Sequence, residues 1–160
     1  MDLFTDQLSQ IDWQDVRDLL PLDEPNRPWT IARTGPWALH AYAATDEGAS
    51  LDDWTNEQDS PDLYRKQREG KLWHLGLIVE ISANGLVLGR DSTWSVCLDL
   101  SSAKEERECY CYFLELIKQL TAQAGADVPG YLERKIKDLR HAADVLVGIE
   151  QPYSKTLTKA

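Results

Sequence analysis

The segment Leu72-Trp73-His74-Leu75-Gly76-Leu77-Ile78-Val79-Glu80-Ile81-Ser82-Ala83-Asn84-Gly85-Leu86-Val87-Leu88 constrains the fold more than any other part of the chain. Asn84-Gly85 between two apolar, β-branched runs is the strongest short-range signal for a hairpin, because a type I′ turn requires positive φ at both central residues. A two-residue loop also fixes the register, with opposed residue numbers summing to 169. Ile81 then faces Leu88, Leu75 faces Trp94 and Trp73 faces Val96, all on the core side of the sheet. The same register sets Arg90 against Val79, a conflict that a bulge near Gly89-Arg90-Asp91 relieves, shifting the pairings beyond it. Trp94, Val96, Leu98 and Leu100 alternate with Ser95, Cys97 and Asp99, which predicts a strand over 92–100.

Upstream, Trp29–Thr34 and Trp37–Ala43 alternate in the period of strands, with Gly35-Pro36 as the turn between them. A short helix is expected over 11–20, with Ile11, Val16, Leu19 and Leu20 inward, Asp12, Asp15 and Asp18 outward, and Pro21 as its stop. Pro21, Pro25 and Pro28 mark an irregular connector. Ser60 as N-cap, Pro61 at the first turn and Gly70 as terminator predict a helix over 62–70.

After the hairpin, Ser102 with Glu105 fits a capping box, and Cys109, Phe113, Ile117, Leu120 and Ala124 form one buried stripe ending at Gly125. Pro129 opens a second helix with Leu132, Ile136, Leu139, Ala143 and Leu146, ending at Gly148 before Pro152. The short link implies an antiparallel αα-hairpin. The 4-3-4-3 spacing of the second stripe also suits a homodimer, with packing on the neighbouring helix and sheet as the preferred use. The expected architecture is a single α+β domain over 1–150: an antiparallel sheet of about four strands, two C-terminal helices packed on one face, and a short N-terminal helix. Residues 151–160 form a polar tail.

Charge is unevenly distributed. The 160 residues carry a net −10, and residues 1–63 alone hold 14 acids against three bases, so the remaining 97 are nearly neutral. All six tryptophans precede residue 95. An acidic chain lacks the basic patch of a direct nucleic-acid binder and has no attraction to an anionic membrane. No run is apolar enough to span a bilayer, the first residues do not form a signal peptide, and three cysteines form no even disulfide framework; a cytoplasmic protein is expected.

Chemical signatures are sparse. Cys109 and Cys111, two apart on a helix, do not face each other as metal ligands with His40, His74 or His141 would require. His40 and His74 lie on strands, where they approach one another if those strands are adjacent. Glu80, Asp91 and Asp99 are the carboxylates to consider for acid–base work, but no Gly-rich phosphate loop, nucleophile elbow or His-Glu-x-x-His occurs. The acidic stretch 45–62 reads as a loop with three possible uses: a solvated surface, a dock for a basic partner, or a divalent-cation site without EF-hand spacing. Trp54 within it adds the contact area of a binding hot spot to charge that steers association, or else serves as the loop's own anchor.

The stretch Gly70–Trp94 resembles the central segment of a group of small proteins found in phages, plasmids and bacterial genomes. These carry Gly-x-x-Trp, an apolar strand, Ser-x-x-Gly, Leu-Gly and Ser-x-Trp, matched here by Gly70–Trp73, Leu75–Ile81, Ser82–Gly85, Leu88-Gly89 and Ser92–Trp94. About 25 of 160 residues are covered, and Ser95-Val96 stands where the group continues with Gly-Ile. The resemblance implies a mobile-element context and no particular activity.

The expectation is therefore a non-enzymatic interaction protein without cofactor, whose acidic region engages the basic surface of a host nucleic-acid-binding protein. It would act as DNA-mimicking inhibitors of bacterial defence (anti-CRISPR or antirestriction proteins) do. The contacting residues would be Asp12, Asp15, Asp18, Asp46, Glu47, Asp52, Asp53, Trp54, Glu57, Asp59 and Asp62. A regulatory homodimer and a small carboxylate-based enzyme are the alternatives.

Overall fold

Two tight turns organise the sheet, and glycine is required in both. Gly35 adopts φ +58°, and Asn84-Gly85 adopt +51° and +79°. Positive φ at Gly35 followed by a proline fits a type II′ turn, whose second central residue has the negative φ that proline fixes. The computed structural model describes residues 3–20 and 26–154. Its strands are β1 (Trp29–Thr34), β2 (Trp37–Thr45), β3 (Leu72–Ala83) and β4 (Leu86–Asp99), antiparallel in the order β1-β2-β3-β4. The connection from β2 to β3 carries a 3₁₀ turn at Leu51–Asp53 and helix α3 (Pro61–Arg68). The expected stop at Pro21, the connector residue Pro25 and the tail residues 155–160 lie outside the described residues.

The β3–β4 register holds to the two-residue-turn expectation only for Ala83↔Leu86 and Ser82↔Val87. A bulge at Leu88 then moves every pairing by one, so Ile81 faces Gly89 rather than Leu88, and Arg90 faces Glu80 rather than Val79. The guanidinium Nε lies 3.4 Å from the Glu80 carboxylate, which resolves the mismatch that called for a bulge. A second bulge, around Trp94-Ser95, shifts the rest again: Leu75 faces Val96 and Trp73 faces Leu98. Ser95 takes φ +59° there. The first bulge already turns Trp94 to the face of Gly76, away from the core side on which the unbroken register places it, and the second returns Val96 and Leu98 to the core side.

One face of the sheet is the core. Leu39, Ala41, Leu75, Leu77, Val79, Ile81, Val96 and Leu98 bury against Phe113, Ile117, Leu120, Ala124 and Val128 of helix α4 (Ala103–Ser154). Two short helices complete that layer: α1 (Thr5–Leu8), one turn that the sequence patterns did not announce, and α2 (Trp13–Leu19). Asp12 caps α2 by accepting from the backbone N–H of Gln14 and Asp15 (2.8 and 3.1 Å), while Asp15 accepts from the Asp12 N–H.

The C-terminal region corrects the two-helix expectation. A single helix, α4 (Ala103–Ser154), runs for 52 residues, about 78 Å, through Gly125 and Pro129 and into the first four residues of the expected tail. Ser102 accepts the Glu105 N–H at its start (3.3 Å), which is one of the two bonds of the expected capping box. Gly125 and Pro129 fail as breakers because Ala124 and Val128 are fully buried on the same stripe; turning the chain away there would uncover both. Pro129 leaves only the Gly125 carbonyl without its usual donor. From residue 133 to 146 every side chain is exposed, so this part of α4 projects roughly 20 Å beyond the body. Among the described residues, no helix is long and apolar enough to cross a membrane.

Candidate functional site: an acidic, tryptophan-bearing loop on the open sheet face

The sheet face opposite α4 is divided. One part carries a polar ladder. His40 bridges three strands, its Nδ1 3.2 Å from Thr30 Oγ1 and its Nε2 3.0 Å from Ser82 Oγ. Beside it, Tyr42 donates to Glu80 (3.1 Å) and accepts from Arg90 (3.1 Å). Burial, then the charge of Arg33, lowers the His40 pKa against the opposing pull of Glu80. Serine and imidazole at this distance are the chemical elements of a nucleophile and its base. Ser82, however, is buried, and neither the cavity of about 520 Å³ between α1 and α4 nor that of about 590 Å³ between β4 and α4 is lined by it. The ladder acts as a cross-strand tie.

The other candidate groups are dispersed. His40 faces Glu80 and His74 faces Cys97, which puts the two histidines six β3 positions, roughly 20 Å, apart; they do not meet. Asp91 lies on the core side of β4, while Asp99 is bound to Lys66 at 2.5 Å with both side chains largely buried. Cys109 Sγ accepts the Asp99 N–H (3.3 Å) and Cys111 is exposed.

Residues 46–62 cover the remaining part of the open face, and their acids largely build the loop itself. Asp46 accepts from the Ser95 N–H at 2.9 Å, pinning the loop to the second bulge of β4 and holding Ser95 in its left-handed conformation. Ser50 and Asp53 cap the 3₁₀ turn reciprocally, and Leu51 is buried beneath it. Asn56 accepts from the N–H groups of Gln58 and Asp59 (both 3.0 Å). Tyr64 donates to Asp52, and that hydrogen bond is the main cause of its pKa being pushed up to about 12.

Trp54 sits edge-on to His74, with centroids 5.1 Å apart, yet remains 46% exposed. It is both the loop's anchor and an available surface. Trp94 lies over Gly76, where a β-carbon would fall 2.5 Å from its ring, and is 50% exposed. His74 and Gly76 are neighbours on this face of β3, about 7 Å apart, so the two tryptophans stand side by side on the open face. Trp94 was absent from the sequence-derived site. Gly76, a lone glycine inside an apolar strand, was the signal for a close approach there.

The candidate carboxylates fall into two groups. Asp46, Glu47, Asp52, Asp53, Glu57, Asp59 and Asp62 lie with Trp54 in the connection from β2 to β3, which Trp54 and Asp46 fix to the open face through His74 and Ser95, whereas Asp15 and Asp18 lie on α2 and Asp12 caps it, and α2 packs against α4 on the other face. Part of the loop's charge is answered nearby: Arg68 binds Glu57 at 2.6 Å and Arg65 binds Asp62 at 3.1 Å. Among the described residues, Asp46, Glu47, Asp52, Asp53 and Asp59 have no basic partner.

Lys66–Asp99 fastens α3 to the end of β4. Burial opposes ionisation of Asp99, but hydrogen bonds from Lys66 and Ser101 prevail and hold its carboxyl below the usual range. A depressed pKa contributes stability above the unfolded-state value, and that contribution is lost as pH falls through the folded value. Asp99→Asn is therefore expected to cost about 2 kcal/mol at pH 7, with the gap to the parent closing below about pH 4 in urea titrations. No protein-family model, curated protein or solved structure matches this chain.

Proposed function

We propose that the protein is a non-enzymatic binding module that docks the 46–62 loop and Trp94 onto a basic protein surface, of the kind that nucleic-acid-binding proteins present. The observation that carries this reading is the pair of half-exposed tryptophans, Trp54 and Trp94, on one sheet face beside a loop with five carboxylates that have no basic partner among the described residues. Indole faces take guanidinium and ammonium groups, while unpaired carboxylates draw them in and select for positive charge. The internal hydrogen bonds of the loop favour binding further, because a pre-ordered surface loses little entropy on association. Occupying a basic groove in this way would compete with nucleic acid, as an inhibitor from a mobile element does. The α2 acids, on the opposite side, are outside the proposed contact.

The test is capture by immobilised protein from bacterial lysate at low and high salt. A basic nucleic-acid-binding protein is expected to be retained at low salt and released at high salt. Trp54→Ala should weaken retention roughly 30-fold and Glu47→Lys should weaken it further, while Asp18→Asn leaves it unchanged. Retention indifferent to Trp54→Ala and Glu47→Lys, or no retained basic protein, overturns the proposal.

A further inference from the structure

The apolar stripe of α4 that begins at Leu132, itself partly packed against the core, runs on past the body, and from Ile136 to Leu146 the described residues do not cover it. Leu132, Ile136, Leu139, Ala143 and Leu146 recur at intervals of four and three, with Ile136 49%, Leu139 69% and Leu146 64% exposed. By helical geometry this stripe is turned about 50° from the one that faces the sheet, so beyond Leu132 it leaves the core contact. Repetition at 3.5 residues is the pattern of a helix that packs against another helix along its length.

We infer that this stripe pairs with the same stripe of a second copy, antiparallel, to form a two-fold homodimer. The flanking charges select both the occupant and the direction. In heptad terms Leu132, Leu139 and Leu146 are d positions, Ile136 and Ala143 are a positions, Glu133 and Arg140 are e positions, and Lys135 and Ala142 are g positions. With Ile136 opposite Leu139 of the second copy, an antiparallel pair sets Glu133 beside Arg140 of the second copy and, by symmetry, Arg140 beside its Glu133. Lys135 then faces only Ala142. A parallel pair would set Lys135 against Arg140 twice and bring both bodies to the same end. The antiparallel pair puts the bodies at opposite ends and repeats each contact, as a closed two-fold interface requires.

The inference is independent of the loop proposal and is tested on the full-length chain by sedimentation equilibrium across the micromolar range. The protein is expected to pass from 18.2 kDa towards twice that mass. Leu139→Glu should stay at monomer mass with an unchanged near-ultraviolet tryptophan signal, since all six tryptophans lie in the body. Arg140→Glu should weaken pairing roughly tenfold or more by opposing Glu133 of the second copy, and adding Glu133→Arg should restore it. A wild-type chain that stays at monomer mass, a dimer indifferent to Leu139→Glu, or a dimer tightened by Arg140→Glu through Lys135 overturns the inference.

Discussion

Replacing Gly89 by alanine is expected to destabilise the protein by about 3 kcal/mol, one of the largest effects available to a single added methyl group. A β-carbon at Gly89 would fall 2.2 Å from the Ala124 carbonyl oxygen and 3.0 Å from both the Ala124 carbonyl carbon and Val128 Cγ2. Backbone cannot swing aside as a side chain can, so β4 and α4 must separate where Ala124 and Val128 are fully buried. Gly76→Ala is the control. Its β-carbon meets the ring of Trp94, which is half exposed and free to move, so the cost should be nearer 1 kcal/mol and accompanied by a change in tryptophan fluorescence. Urea unfolding of both variants measures the difference.

Phe113→Ala should cost about 4 kcal/mol and lower the melting temperature by roughly 10 °C, as followed by circular dichroism. Phe113 is fully buried where α4 crosses the sheet and meets Tyr110 edge-to-face at 5.6 Å. Removing it leaves a cavity among Leu, Ile and Val side chains that helix and sheet, both rigid, fill poorly. Its neighbour Tyr112 is 57% exposed on the same helix, and Tyr112→Ala should stay within about 0.5 kcal/mol.

Local chemistry was readable in the sequence, and long-range consequence was not. Asn84-Gly85, Gly35-Pro36, Ser60-Pro61 and Ser102 each mark a turn or helix start that the structure contains, because a turn's backbone demands or a helix's first turn are met by residues close in sequence. The β3–β4 register was not readable beyond the turn. Its first bulge accommodates the Glu80–Arg90 ion pair and the approach of α4 at Gly89, and its second is held by Asp46, 49 residues from Ser95. Gly125 and Pro129 read as a break for a similar reason: propensity argued for one, and burial of Ala124 and Val128 outweighed it.

The candidate site was half legible. Counting charge along the chain located the acidic loop but cut it from α3, whose Arg65 and Arg68 return to bind Asp62 and Glu57. It also joined the loop to the α2 acids, which the sheet separates from it. Trp54 is legible from its setting among carboxylates; Trp94 reads as core in the unbroken register, because only the first bulge turns it outward.

The bulges of β4 have a consequence for how the protein survives at high concentration. As the last strand of the sheet, β4 offers a row of unpaired amide and carbonyl groups that could template growth of a foreign strand. Its regular stretches are only Leu86–Val87, Gly89–Thr93 and Val96–Asp99, and the N–H of Ser95 is already taken by Asp46. An incoming strand would lose register after at most five residues, too few to secure a fibril-like addition. The irregularity that hides the register from sequence also keeps this edge from seeding aggregation.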